Sequence, residues 1–198
     1  MAQREPADSL ARRRTARRTL TLLALVCAAP VVASYVAYYW LRPEARTNYG
    51  ELLQAGVAPE VEGTRVDGAP FRLSELRGRW ILLMVAGPDC AATCERKLYA
   101  TRQARTMQGR EQDRVVRVLL QPTGAALLTA ELSAVHPGMI VVRGDSRQWQ
   151  ALPGPGGPVA NTYLIDPHGN LILRYPADPD IRGLAKDLER LLRASRIG

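Results

Sequence analysis

The strongest constraint on the fold is a run of 23 uncharged residues at positions 19–41, which reads TLTLLALVCAAPVVASYVAYYWL. As a helix, this run would be about 30 Å long and would cross the hydrocarbon core of a membrane. Tyr35 and the Tyr-Tyr-Trp cluster at 38–40 lie at its C-terminal end, and aromatic rings favour the membrane interface. The sequence therefore predicts one transmembrane helix over residues 19–41.

The segment before this run, residues 1–18, is strongly basic. It holds six arginines against one glutamate and one aspartate, so its charge of +4 is half of the net charge of +8. A basic arm can bind nucleic acid, but beside an apolar span arginines mark the cytoplasmic side. We therefore expect a cytoplasmic arm at 1–18, residues 42–198 on the other side of the membrane, and no nucleic-acid partner.

A cleaved signal peptide is the alternative interpretation of the apolar run. The run is longer than the hydrophobic region of about 7–15 residues that such peptides carry, and only Val32-Ala33-Ser34 weakly matches a cleavage site. Cys27 lies inside the run and is interpreted as a small apolar residue of the helix. These observations favour a domain that stays anchored in the membrane.

The rest of the chain predicts a linker at 42–56 and one α/β domain at 57–198. Asp67-Gly68 is a hairpin turn signal, and the apolar run 80–86 is typical of a central strand covered on both faces. The predicted strands are 61–66, 71–73, 80–86, 115–120, 139–142, 162–165 and 171–173, and the predicted helices are 91–107, 122–134 and 181–195. Leu98 and Tyr99 are expected on the buried side of the first helix, and the Gly/Pro-rich segment 151–158 is expected to be a loop.

Two cysteines follow the predicted central strand, in the stretch GPDCAATC at 87–94. A helix that begins here would stabilise a thiolate at Cys90 and lower its pKa. Cys94 lies one turn further on, where it can resolve a mixed disulfide or share a soft metal ion with Cys90. A structural disulfide and two inert thiols are the alternatives, and the three cysteines of the chain exclude a four-cysteine zinc site within it.

The resting state of the pair is left open by its spacing. Two residues four apart on a helix have Cα atoms about 6 Å apart, in the upper part of the range for a disulfide. A bond between Cys90 and Cys94 is therefore feasible if the first turn of the helix loosens, which would make the bond easy to reduce.

With the apolar span, the strand-GPDCAATC-helix step and the stretch Tyr163–Asn170 (YLIDPHGN), the chain resembles the Sco/SenC family. The resemblance implies a thioredoxin-like fold, a bacterial inner membrane anchor with a periplasmic domain, and a role in assembling the CuA site of cytochrome c oxidase. It implies subunit II of the oxidase, or other assembly factors, as partners. Family members bind copper through the two cysteines and a histidine five residues before the tyrosine, and here that place is Pro158.

Neither histidine of the chain is expected to replace the missing ligand. His136 precedes the strand 139–142, at the edge of the sheet opposite to the cysteines, and Met139 lies at the same edge. His168 lies in the turn of the last hairpin, about 16 Å from the cysteines along its strand. Both histidines are therefore expected to be ordinary surface-turn residues, although two thiolates alone can still hold Cu(I).

Two further residues near the pair are ambiguous. Thioredoxin-like oxidoreductases place a cis-proline beside their cysteines, and Pro158 is either such a residue or an ordinary loop proline. Trp149 either covers the site or packs under the loop.

Three functions are consistent with these patterns. The preferred hypothesis is a thiol–disulfide protein of oxidase assembly, with Cys90 as nucleophile and Cys94 as resolving thiol. The alternatives are a Cu(I) carrier that uses Cys90 and Cys94 as ligands, and a scaffold without turnover. A peroxidase is disfavoured, because Thr93 stands beside Cys94 instead of three residues before a cysteine.

Overall fold

The computed structural model describes residues 7–40, 48–87, 90, 92–125 and 134–195. It divides into two compact units, Met1–Arg46 and Thr47–Gly198. The first unit contains one helix and the second contains the sheet.

The helix of the first unit, α1, runs over Ala7–Trp40 and is not interrupted by Pro30. Its portion Ala16–Tyr39 is long and apolar enough to cross a membrane, which agrees with the span predicted at 19–41. The apolar side chains of this portion are exposed, among them Leu22 and Val26. Exposed apolar surface of this length matches the hydrocarbon of a lipid bilayer better than water.

The second unit is built on a single mixed sheet of eight strands in the order β1-β8-β7-β4-β5-β6-β2-β3. The strands are β1 (Glu51–Val57), β2 (Glu62–Arg65), β3 (Pro70–Arg72), β4 (Trp80–Val85), β5 (Val115–Pro122), β6 (Met139–Gly144), β7 (Asn161–Ile165) and β8 (Asn170–Pro176). The neighbouring strands β4, β5 and β6 are parallel, whereas β7, β8 and β1 on one side, and β2 and β3 on the other, pair antiparallel.

Strand β4 lies in the middle of this sheet because all six of its residues are apolar. Each of them is buried, and a strand that is apolar on both faces must be covered on both. It pairs with β5, where Trp80 lies opposite Val115, and with β7, where Met84 lies opposite Thr162. The prediction of a central strand at this position is confirmed.

The two faces of the sheet are covered by different elements. Helix α2 (Ala92–Thr106) and helix α3 (Ile181–Ala194) pack on one face, where Leu98, Leu119 and Leu188 are fully buried. The other face carries the larger core, which includes side chains of the 3₁₀ turns Leu73–Leu76 and Ser146–Trp149. The fold is the thioredoxin-like α/β arrangement that the resemblance noted above implies.

Some local predictions differ from the structure. Residues 51–56 fall within the predicted linker, but they belong to edge strand β1, which pairs with β8. Tyr99 is half exposed rather than buried, because it lies on the outer side of α2. The helix predicted at 122–134 falls mostly on residues 126–133, which lie outside the described part of the chain, and Pro122 itself ends β5.

Candidate dithiol site

Cys90 and Cys94 are joined by a disulfide bond, and their Cα atoms are 5.1 Å apart. This distance is shorter than the 6 Å or so expected for two residues four apart on one helix. The reason is that α2 begins at Ala92, so Cys90 precedes the helix and only Cys94 belongs to it. The first turn need not loosen for this bond to form.

The disulfide lies between the carboxyl end of β4 and the N-terminal turn of α2. Both cysteines are half-buried and pack on a small apolar cluster that consists of Met84, Ala86, Leu98 and Leu119. The disulfide therefore packs on apolar side chains, and both cysteines remain partly open to solvent. The N-terminal end of α2 supplies partial positive charge that favours a thiolate at Cys90 after reduction.

Lys97 is the polar residue that the structure adds to this site. It is only 1% exposed, and its Nζ donates to the carbonyl oxygens of Val85 at 3.3 Å and Val159 at 2.5 Å. Burial lowers the pKa of Lys97 to about 8. Lys97 therefore ties the end of β4, helix α2 and the loop before β7 together beside the disulfide.

The loop before β7, residues 151–160, is held by further side chains. Asn161 donates through Nδ2 to the carbonyl oxygens of Pro155 and Gly157, and the Tyr163 hydroxyl donates to that of Pro153. Pro158 begins a short 3₁₀ turn, Pro158–Ala160, and its peptide bond is trans, as are all peptide bonds in the described ranges. The loop prediction is correct for most of this segment, and Pro158 is not a cis-proline.

The two histidines lie before β6 and beyond the far end of β7, away from the cysteines, as the sequence indicates. Met139 begins β6 opposite Arg117, as expected, but it packs against the same apolar cluster as Cys90 and Cys94. His168 is exposed in the turn between β7 and β8, at the end of β7 that pairs with Ile81 near the start of β4. His136 precedes β6, but it is 5% exposed, so its assignment to a surface turn is wrong.

His136 is buried in the turn before β6 and lies close enough to Arg117 and Arg102 to feel their positive charges. Arg117 is 1% exposed and donates through Nη2 to the carbonyl oxygen of Pro137 at 3.1 Å. Burial, followed by the positive charges of Arg117 and Arg102, lowers the pKa of His136 to about 4. The imidazole is therefore neutral at neutral pH.

Trp149 packs under the loop and does not cover the disulfide. It is 2% exposed and belongs to the larger core together with Val118 and Leu120. The cysteines pack near Leu119, which points to the opposite face of the sheet because strand side chains alternate.

Sequence reasoning found the cysteines and missed Lys97. The buried residues of α2 include Lys97, Leu98, Thr101 and Ala104, which together with Cys94 follow helical spacing. The position of Lys97 within this stripe was the available signal. Among the residues that the structure describes, no group of three or more Cys, His, Asp or Glu could hold a metal ion.

The fold and the site define a class: a thioredoxin-like domain with a disulfide between its central strand and first helix, in a chain with one N-terminal helix fit to span a membrane. The chain belongs to the family described as "Transmembrane-like, thioredoxin-like, C-terminal domain", whose model matches residues 80–195.

Three individual proteins extend this comparison. A protein of Stutzerimonas stutzeri named "Putative copper-binding protein" is 29% identical over 85% of this chain and 86% of its own length. Copper-bound ScoI of Arabidopsis thaliana is 18% identical with a TM-score of 0.57, covering 71% of this chain and all of that one. BsSco, described with a disulfide switch and as a member of the Sco family of cytochrome c oxidase assembly proteins, is 13% identical with a TM-score of 0.54, covering 74% and 98%. These two Sco structures show that the fold is shared.

Proposed function

We propose that this protein is a membrane-anchored thiol–disulfide protein that assists assembly of the CuA site of cytochrome c oxidase through Cys90 and Cys94. One observation carries the proposal: a half-buried disulfide lies at the reactive end of a Sco-like fold, while Pro158 stands where the resemblance to Sco proteins places the copper histidine. Among the residues that the structure describes, the site thus offers a metal two sulfur atoms and no third Cys, His, Asp or Glu ligand, and a pair of thiols suits thiol–disulfide exchange.

The anchor gives the proposed location. The arginines before the apolar span favour a cytoplasmic N-terminus, with an arm at 1–18, the span at 19–41, a linker within 42–56 and a periplasmic domain up to residue 198. We place the protein in the bacterial inner membrane. Disulfides form and persist in the periplasm, because this compartment is kept oxidising.

The proposed reaction reduces a disulfide of the apo copper site. The Cys90 thiolate attacks one sulfur of that disulfide, a mixed disulfide forms, and the other sulfur leaves as a thiolate. The Cys94 thiolate then attacks the Cys90 sulfur and releases the second thiol of the target. Two electrons pass to the target, the Cys90–Cys94 disulfide re-forms, and a periplasmic dithiol protein must reduce it again. The target cysteines are left reduced and able to bind copper.

The test is to trap the mixed disulfide. The full chain in detergent, reduced and freed of reductant, is mixed with the soluble domain of oxidase subunit II whose two copper-ligand cysteines are oxidised. With the wild-type protein, thiols should appear on the target, as measured by alkylation and mass spectrometry. Cys94→Ser should accumulate a covalent complex through Cys90, and Cys90→Ser should form none. Cys27→Ser is the matched control and should behave as wild type.

A Cu(I) carrier is the second candidate, because the relative from Stutzerimonas stutzeri carries a copper-binding name and two thiolates are soft ligands. A competition titration of the reduced full chain against a chromophoric Cu(I) chelator tests it. The Cu(I) carrier would replace the first proposal if the protein binds one copper tightly, loses it in both Cys90→Ser and Cys94→Ser, and does not reduce the disulfide of subunit II. If the protein neither reduces that disulfide nor binds copper, the scaffold without turnover is the remaining function.

A further inference from the structure

Lys97 is a buried cation beside the disulfide. Its Nζ is bonded only to neutral carbonyl oxygens, and in the described part of the chain it belongs to no ion pair. A buried ammonium without a carboxylate costs free energy. With a pKa of about 8, it remains mostly charged at neutral pH. Among the described residues, the two hydrogen bonds to carbonyl oxygens hold the ammonium in place but do not neutralise its charge.

Lys97 contacts or belongs to the elements that carry the two cysteines. Lys97 follows Cys94 by three residues on α2, and residues at this spacing have Cβ atoms about 5–6 Å apart on the same helix face. Its bond to Val85 fixes it at the end of the strand that leads to Cys90. Its bond to Val159 fixes it under the loop that carries Pro158. The ammonium is therefore held in the protein interior, between the end of β4 and the loop before β7 and about one helical turn from Cys94, where solvent screens its charge weakly.

We propose that Lys97 is a positioning residue that stabilises the Cys94 thiolate once the disulfide is opened, and so sets the reduction potential of the pair. The inference rests on the proposed thiol–disulfide function. A positive charge in a site of low dielectric favours the thiolate over the thiol. Stabilising the reduced form makes the potential less negative, so the dithiol is regenerated easily after each exchange.

Glutathione provides a balanced probe of this property. Two glutathione thiols reduce the Cys90–Cys94 disulfide, giving the protein dithiol and one glutathione disulfide, with two electrons transferred. The equilibrium constant of this exchange at pH 7 is measured for the full chain in detergent by alkylation and mass spectrometry. Intact folding of each variant is checked by circular dichroism.

Three substitutions separate the charge from the hydrogen bonds. Lys97→Met removes both, Lys97→Gln keeps N–H donors for the two carbonyl oxygens, and Lys97→Arg keeps the charge. We expect Met and Gln each to shift the equilibrium toward the disulfide about tenfold, which is about 30 mV for two electrons, and Arg to stay within about threefold of wild type. Arg96→Met is the control, because Arg96 is exposed and paired with Asp178 at 3.0 Å, and it should change nothing.

The outcomes are distinct. If Lys97→Gln has the wild-type equilibrium constant, the proposal is wrong, and Lys97 only holds the loop through its hydrogen bonds. If Lys97→Met fails to fold, Lys97→Gln and Lys97→Arg still decide the question. If subunit II is not reduced by the wild-type protein but the glutathione equilibrium shifts as expected, the function proposed above fails and the role of Lys97 stands.

Discussion

The carboxylate of Asp187 on α3 accepts the backbone N–H of Gly50 at 2.8 Å, just before β1 begins. It also accepts the N–H of Tyr49 at 3.1 Å, and Asp187 is only 2% exposed. Gly50 is required for this approach, because a Cβ there would lie 2.6 Å from the ring of Tyr175. A buried side chain thus fastens the N-terminal edge of the domain to its last helix.

Removing this carboxylate should destabilise the domain. Asp187→Ala leaves the buried N–H of Gly50 and the partly buried N–H of Tyr49 without an acceptor, and a buried unpaired group costs about 1–3 kcal/mol. We expect the free energy of unfolding to fall by about 3 kcal/mol in Asp187→Ala and by less in Asp187→Asn, which keeps one acceptor. Urea unfolding of the full chain in detergent measures this. Asp178→Asn, an exposed control, should change stability by under about 0.5 kcal/mol, and equal effects of the two sites would contradict the structure.

Trp149 tests whether the two faces of the sheet have separate roles. The side chain fills the core on the face away from the cysteines, so Trp149→Ala should lower the free energy of unfolding by about 3–5 kcal/mol. The glutathione equilibrium of the folded variant should stay within twofold of wild type. Val66→Ala, at a side chain that is 62% exposed, is the stability control. A large redox shift in Trp149→Ala would mean that the tryptophan acts on the disulfide after all.

The sequence predicts the central part of this fold well because the signals there are local. Strand β4 is an unbroken apolar run, and the turns at 67–68 and 166–170 carry residues that favour tight reversals. Strand β1 was missed because its sequence, ELLQAGV, does not alternate apolar and polar residues. The strand forms because it pairs with β8, and Asp187 holds Gly50, the residue just before it. Strand β8 and Asp187 are far from β1 in the sequence, so a prediction from neighbouring residues does not include them.

Part of the candidate site could likewise be predicted from local sequence signals, and part depends on tertiary contacts. The position of Cys90 and Cys94 follows from the strand and helix around them, so the sequence alone locates the pair. The burial of Lys97 depends on two carbonyl oxygens, those of Val85 and Val159, which tertiary folding brings to it. The burial of His136 also depends on the tertiary fold. A single histidine before a predicted strand gives no sequence signal that it is buried.

The disulfide should contribute little to stability if its role is redox exchange. It closes a loop of only about five residues, so the chain-entropy model gives a contribution of about 2 kcal/mol. We expect the reduced protein to remain folded, with a urea midpoint only modestly lower than that of the oxidised protein. Cys90→Ser with Cys94→Ser should match the reduced wild type. Global unfolding on reduction would instead identify a structural disulfide.

Acid should destabilise this domain through His136. Its pKa is about 4 in the folded chain, against 6.5 as the ordinary value, because burial and the charges of Arg117 and Arg102 oppose protonation. The unfolded chain therefore binds the extra proton between pH 6.5 and 4, so stability is complete above 6.5 and falls as the pH drops through this window. We expect His136 to account for a loss of about 2 kcal/mol between pH 7 and 4.5. Urea unfolding of His136→Asn at both pH values should show a smaller difference than wild type, and His168→Asn, at the exposed turn, should not. Equal pH dependence in wild type and His136→Asn would show that other groups govern the acid sensitivity.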